Sequence, residues 1–301
     1  MILSSVDIGS NAVRLLFANV HESNGEVVIE KDTLIRIPVR LGQDVYTKGK
    51  ISKVKAKALV KTLKAFSMLV DVHKPEGFMA CATAAVREAE NGNDVLKMIR
   101  KEADMNVTVI DGLEEARIIR SITHYPLSEK IKKTLYIDVG GGSTEISVVS
   151  DDNEPVAKSF PIGTLRLLSG KVDDIEWMVL NNWLNQFKES FGKIQMVASG
   201  GNINKLIKLY GRTTENILIG TNLEYAFKQL SSLTVEERME TFNLRPDRAD
   251  VIVPAAKIYL TVLKKIQAEA VLVPKMGLAD GLIVQMYRDL KDQGKKLGHR
   301  H

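Results

Sequence analysis

The sequence predicts an α/β fold in which mixed sheets are flanked by helices. Three observations carry that expectation. Short apolar runs bounded by turn residues recur at strand length, and runs with helical spacing dominate the later part. The opening segment VDIGSNAVRLL, 6 to 16, is echoed by IDVGGGSTEIS, 137 to 147, with Asp7 over Asp138 and Gly9 over Gly140. In each echo a strand ends in Asp, a small-residue turn reverses the chain and a second strand leaves. A hairpin followed by helices in each half calls for mixed sheets, not purely parallel ones.

Taken in order, ILSSVDIG, AVRLLFANV, EVVIEKDTLIRIPVRLG, GFMACAT, VTVI, TLYIDVG, TEISVVS and VAKSFPI each read as a strand. Between them, in residues 52–73, Leu59, Leu63, Phe66 and Val70 repeat at helical spacing, while Lys53, Lys57, Lys61 and Lys64 line another face. That lysine stripe could grip a polyanion, but charge lines of this kind are what exposed helices ordinarily carry. Further helices are expected near 93–103, 113–124, 173–190, 201–210, 222–231, 247–267 and 278–291, around short strands at IQMVASG and AVLVP. The polar, proline-containing HYPLSEKIKK at 124–133 marks a boundary between domains 1–124 and 125–301, with the last helix able to pack back on the first.

At 301 residues the chain is long enough for two domains, and 45% hydrophobic with 26% charged residues is globular composition. No stretch reaches the roughly 18 apolar residues of a membrane span, and Met1 to Asp7 lacks the features of a secretory signal, so a cytoplasmic protein without membrane association is expected. The single cysteine, Cys81, excludes an intrachain disulfide framework and reads as a small buried hydrophobe. A net charge of +5 favours anionic ligands, but no nucleic-acid-binding motif accompanies it and only 6% of residues are aromatic, so nucleic acid is not an expected partner. The five histidines show no metal-ligand spacing.

The repeated hairpins carry the chemistry. With Gly141 and Gly142 as a two-residue loop, Asp138 falls opposite Glu145, their Cβ atoms about 5 Å apart. Two like charges at that spacing repel by about 3 kcal/mol at an effective dielectric of about 20, and a divalent cation is the natural offset. Mg²⁺ takes oxygen ligands, commonly one or two carboxylates with water and phosphate oxygens, so Asp138 and Glu145 are its candidate ligands. The amides of Gly140, Gly141 and Gly142 and the hydroxyls of Ser143 and Thr144 are candidate phosphate donors. In the first hairpin, Ser10 and Asn11 form the loop and Arg14 falls opposite Asp7. Arg14 can present a guanidinium to phosphate, with Asp7 holding it or touching the metal's water shell; a plain cross-strand ion pair is the alternative. No Walker lysine follows either loop.

These segments, together with CATAAVREAENG, IDGLEEARII, FPIGTLRLL, VASGGN and DRADVIVPAAKI, resemble in order and spacing the exopolyphosphatase and guanosine pentaphosphate phosphatase family, Ppx/GppA, from about residue 3 to 290. The resemblance implies the actin-like ATPase fold: two ribonuclease-H-like domains with the ligand in the cleft between them. It implies Mg²⁺-dependent hydrolysis of a terminal phosphoanhydride of inorganic polyphosphate, or of pppGpp to ppGpp. The chain resembles the short, two-domain form, for it has no His-Asp dipeptide of the kind found in the helical region of longer members. It departs from the family at DGLEEA, where Ser-Gly commonly precedes the acids, at SGGN, where Thr often follows the glycines, and at Ala255 and Ala256, where glycine is common. These departures bear on substrate choice.

In DGLEEARII, Asp111 reads as a helix N-cap and Glu114 as its capping-box partner, which leaves Glu115. Glu115 matches the family's catalytic glutamate, taken to activate the attacking water, a role that requires it within about 3 Å of that water. By itself it would read as an ordinary solvated glutamate. Arg87 matches a phosphate-clamping arginine, and Thr83 can add a hydroxyl. Arg166 and Arg248 fall on family positions near the substrate, although each alone could form a surface ion pair. Gly200 and Gly201 end a strand and open a helix, which permits phosphate approach and equally suits close packing. Two alternatives stand beside the hydrolase: a non-catalytic sensor of ppGpp or polyphosphate, and a small-molecule kinase of the same fold. The sequence is compatible with a homodimer, and no segment proves one.

Overall fold

The computed structural model describes residues 1–23, 26–122, 131, 133–150 and 153–298. The chain divides into two compact units, Met1–Asp111 with the chain from Leu278 onward, and Gly112–Gly277. The boundary expected at residues 124 and 125 lies outside the described residues.

The first unit begins with β1 (Ile2–Ile8), β2 (Val13–Ser23) and β3 (Glu26–Ile37), an antiparallel meander. The third strand was expected to run to Gly42, but it stops at Ile37. Pro38 has no N–H for the ladder, and Arg40 takes a left-handed conformation, φ 56°, that turns the chain into α1 (Leu41–Lys48). Helix α2 (Lys53–His73) starts where the Ser52 hydroxyl accepts from the Lys55 amide at 3.3 Å, and it buries Leu59, Leu63 and Phe66 as its spacing predicts. Lys53, Lys57 and Lys61 are exposed, while Lys64 pairs with Glu102 at 3.0 Å. Strand β4 (Gly77–Ala82) lies parallel to β1, with Cys81 fully buried. Then come α3 (Ala84–Glu88), α4 (Gly92–Ala103) and β5 (Thr108–Val109), only two residues of the expected VTVI.

The second unit opens with α5 (Gly112–Arg120) and repeats the meander as β6 (Lys133–Val139), β7 (Thr144–Ser150) and β8 (Asn153–Phe160). There follow α6 (Thr164–Leu168), α7 (Asp174–Leu184) with a 3₁₀ turn at Asn185–Ser190, β9 (Ile194–Ser199), α8 (Gly201–Tyr210), β10 (Ile217–Ile219) and α9 (Gly220–Ser231). Helix α10 (Val235–Phe242) was not anticipated, yet it carries a full capping box: the Thr234 hydroxyl accepts from the Glu237 amide and the Glu237 carboxylate from the Thr234 amide. The helix expected over 247–267 is two, α11 (Pro246–Ala249) and α12 (Ile252–Ile266), and β11 (Ala270–Leu272) completes the sheet. Strand β10 was missed because three residues carry no usable period. Helix α13 (Leu278–Gly298) belongs to the first unit, where Ala279, Ile283 and Met286 pack against Leu3 and Leu16.

The first sheet has the order β3-β2-β1-β4-β5 and the second β10-β11-β9-β6-β7-β8. Read from β8, the second repeats the first and adds one antiparallel edge strand. This is the duplicated ribonuclease-H-like architecture of the actin-like ATPase fold. Each sheet is a core wall: Leu135, Ile137, Ile146 and Ala198 pack with Ile203, Leu206, Ile252 and Tyr259 in the second unit. No helix among the described residues is long and apolar enough to cross a membrane.

Candidate active site

In the β6–β7 hairpin the Gly140 amide donates to the Ser143 carbonyl at 2.9 Å, leaving Gly141 and Gly142 as the loop. Val139 then pairs with Thr144 and Asp138 with Glu145, the register that a two-residue loop demands. None of Gly140, Gly141 and Gly142 has a positive φ. The bare loop instead admits the entry to α6. A Cβ at Gly163 would stand 2.4 Å from the carbonyl carbon of Gly142 and 2.5 Å from that of Gly141. Across this contact the amides of Thr164 and Leu165 donate to the carbonyls of Gly140 and Gly141 at 3.0 and 2.8 Å, and Arg166 Nε donates to the Gly142 carbonyl at 2.7 Å. With its carbonyls turned to α6, the loop is fixed in shape.

The first hairpin repeats the device. Gly9 N donates to Ala12 O at 3.1 Å, Ser10 and Asn11 form the loop, and their carbonyls accept from Gly42 and Arg40 at the entry to α1, at 2.9 and 3.0 Å. Ser10 is buried with its hydroxyl 2.9 Å from the Tyr46 hydroxyl. Arg14 stands opposite Asp7 and donates to its Oδ2 at 2.5 Å. Asp7 is thus held by Arg14 within the first unit.

Those acids lie in the second unit. Glu115, Asp138 and Glu145 each bring a carboxylate oxygen within 4.8 Å of the others, with Glu115 and Glu145 buried. Glu115 arrives on α5, whose buried face is Gly112, Glu115, Ala116, Ile118 and Ile119. Glu114 lies on the other side and takes the Arg117 guanidinium in a two-point pair, both contacts at 2.7 Å. The helix therefore separates two adjacent acids by face. Close packing seats it, for a Cβ at Gly112 would fall 2.4 Å from Ser159 Cβ and 3.3 Å from Glu145 Oε1.

Two residues were not anticipated from sequence. Ser199 on β9 is paired directly with Asp138 and donates to its Oδ1 at 2.6 Å; Ser159 on β8 is paired with Glu145 and donates to its Oε1 at 2.8 Å. Ser199, Asp138, Glu145 and Ser159 thus form one row across four strands on one face of the sheet. The matching row of the first unit reads Cys81, Asp7, Arg14, Arg36. The only signal for these serines was their strand position, and using it required the sheet order.

The remaining expected residues are placed as follows. Thr144 is fully buried and its hydroxyl donates to the Ile162 carbonyl at 2.5 Å, so its role is structural and not that of a phosphate donor. Ser143 is buried at the loop. Thr83 is buried where β4 meets α3, and Arg87 Nη1 donates to the Ile110 carbonyl at 2.8 Å. Gly200, φ 103°, caps α8, and a Cβ there would lie 2.9 Å from Asp138 Oδ1. The Arg248 guanidinium lies over Gly201 and donates to Asn202 Oδ1, and burial followed by the charges of Lys208 and Arg248 pushes the Lys205 ammonium below its usual range. Burial, and secondarily the Asp138 charge, holds the Tyr259 hydroxyl well above the usual phenol range; it donates to the Ser199 carbonyl at 2.8 Å.

Three carboxylates this close repel by about 3 kcal/mol per pair at an effective dielectric of about 20, so the arrangement calls for a proton or a cation. The model of the Ppx/GppA phosphatase family matches residues 33–290. The exopolyphosphatase 1 of Mycobacterium tuberculosis H37Rv is 27% identical over 311 residues, covering 95% of this chain and 88% of the relative. A bifunctional 3-dehydroquinate synthase/phosphatase of Fusobacterium nucleatum is 26% identical, over 94% of this chain and 46% of that protein. Among solved structures, an exopolyphosphatase from Cytophaga hutchinsonii superposes with a TM-score of 0.80 at 25% identity, covering 95% of this chain and 97% of that one. The Aquifex aeolicus PPX-GPPA enzyme gives 0.72 at 26% identity, over 95% and 99%.

Proposed function

The chain belongs to the Ppx/GppA phosphatase family, whose model matches residues 33–290, and from that premise we propose that it hydrolyses the terminal phosphoanhydride of inorganic polyphosphate, of pppGpp, or of both. The observation that carries this reading is the convergence of Glu115, Asp138 and Glu145 beside a hairpin loop whose carbonyls are already taken by α6.

The donor set fits a divalent cation of the Mg²⁺ class: hard carboxylate oxygens from three elements, within 4.8 Å of one another. Asp138 and Glu145 would hold it, and when bound such an ion neutralises charge on the phosphoryl oxygens. Glu115 takes the proton of the attacking water. The water oxygen bonds to the terminal phosphorus, the bridging P–O bond breaks, and orthophosphate leaves a chain shorter by one phosphate.

The loop amides of Gly141 and Gly142 and the Ser143 hydroxyl donate to phosphoryl oxygens, the Gly140 amide expected among them being taken by the Ser143 carbonyl, and Arg166 keeps the loop in place through the Gly142 carbonyl. Gly200 and Gly201 admit phosphate near Asp138 and Arg248. On the first unit, Arg14 and Arg87 are the guanidinium donors assigned to substrate phosphate, with the Ser10–Asn11 loop and Thr83 beside them.

The test is phosphate release from long polyphosphate, tripolyphosphate and pppGpp side by side, with Mg²⁺ supplied and withheld. Metal-dependent release from any of them without an added acceptor supports hydrolysis; tight binding with no release would favour a sensor, and release only with an acceptor a kinase.

A further inference from the structure

We propose that Ser159 and Ser199 are positioning residues that set the cation affinity of the Glu145 and Asp138 carboxylates, an inference that rests on the cation site proposed above. Each serine is the direct ladder partner of one acid, on the strand outside it, so the acid pair is bracketed by two hydroxyls in a single row. A serine hydroxyl has one proton to donate, and both donate it to a carboxylate oxygen, at 2.6 Å to Asp138 Oδ1 and 2.8 Å to Glu145 Oε1. Bonds of this charge-assisted kind fix the plane of a carboxylate. A ligand already oriented loses less freedom when a cation arrives.

The serines are themselves held. Ser159 is wedged against Gly112, where a Cβ would stand 2.4 Å from the serine Cβ and Oγ, so α5 seats Glu115 and presses Ser159 toward Glu145 in one contact. Ser199 is anchored through its carbonyl by the buried Tyr259 hydroxyl on α12, at 2.8 Å. The first unit supplies the contrast: where the central pair is Asp7 with Arg14, the bracketing positions hold Cys81 and Arg36. The hydroxyls accompany the pair of like charges, not the pair of opposite charges.

The experiment measures binding of Mn²⁺ by electron paramagnetic resonance and of Mg²⁺ by calorimetry, without substrate, to the wild type and to Ser159→Ala, Ser199→Ala and Ser199→Thr. Near-UV circular dichroism of the metal-free proteins checks the fold. The expected result is a dissociation constant raised about tenfold in each alanine variant, with an unaltered metal-free spectrum, and recovery toward wild type in Ser199→Thr, which keeps the hydroxyl. Wild-type constants in both alanine variants overturn the inference and leave the cation site standing. A wild type that binds neither ion overturns the cation site itself.

Discussion

Asp138 stands directly opposite Glu145 on an antiparallel ladder, and the two carboxylates, with Glu115, place oxygens within 4.8 Å of one another. Carboxylates this close repel unless a proton or a cation offsets their charge.

Replacing Glu145 by Gln removes one of the mutually repelling charges while keeping the side-chain volume. In metal-free buffer the variant is expected to unfold at a higher temperature than the wild type, by roughly 1–3 kcal/mol of stability. Saturating Mg²⁺ should raise the melting temperature of the wild type and leave the variant nearly unmoved, since stabilisation by a ligand follows its affinity for the native state. Differential scanning calorimetry with and without chelator checks both.

Gly163 packs directly against the Gly141–Gly142 loop. Gly163→Ala would drive a methyl into the backbone of Gly141 and Gly142, so a loss of about 1–3 kcal/mol and a fall in turnover of at least tenfold are expected. Gly170→Ala serves as the comparison, because Gly170 has φ +64° but open space around it. That change should cost about 1 kcal/mol and leave turnover intact. Urea unfolding paired with phosphate release separates the two.

The stability of the first unit is expected to depend on pH through Asp44. Burial pushes its carboxyl up, but the Ser52 hydrogen bonds and the Lys55 ammonium, at 3.2 Å, outweigh burial and hold it below its usual value. Lys55 moves down as well, because burial there exceeds the pull of Asp44; the stabilisation is therefore assigned to the hydrogen-bonded carboxylate. A carboxyl depressed in the folded state stabilises fully above its unfolded pKa, about 3.9, and the contribution is lost as pH falls through the folded value. Asp44→Asn should melt below the wild type at pH 7, and the gap should close as the pH is taken below about 4.

Much of this arrangement could be read from the sequence, for identifiable reasons. A hairpin loop of two residues fixes register, so Asp138 opposite Glu145 and Asp7 opposite Arg14 follow from counting outward from Gly141-Gly142 and from Ser10-Asn11. Local geometry of that kind is carried by neighbours in the chain. Ser159 and Ser199 were not legible, because their meeting with the acids depends on β8 and β9 lying on either side of β6 and β7, a matter of sheet order. The two acids of α5 were separable in the sequence by the capping position of Glu114, and the structure pairs Glu114 with Arg117 and buries Glu115. The strand expected to Gly42 ends at Ile37: the apolar alternation of Ile35 and Ile37 continues at Val39 and Leu41, but it passes Pro38, whose missing N–H, followed by a left-handed Arg40, decides the matter.

The most direct measurement is turnover of Glu115→Gln with substrate binding determined separately. Glutamine keeps the size and burial of the side chain but cannot accept the proton of water. Binding of polyphosphate close to wild type, with phosphate release lowered by about 10²–10⁴-fold, is the predicted outcome. Release at the wild-type rate would contradict it and remove Glu115 from the chemistry.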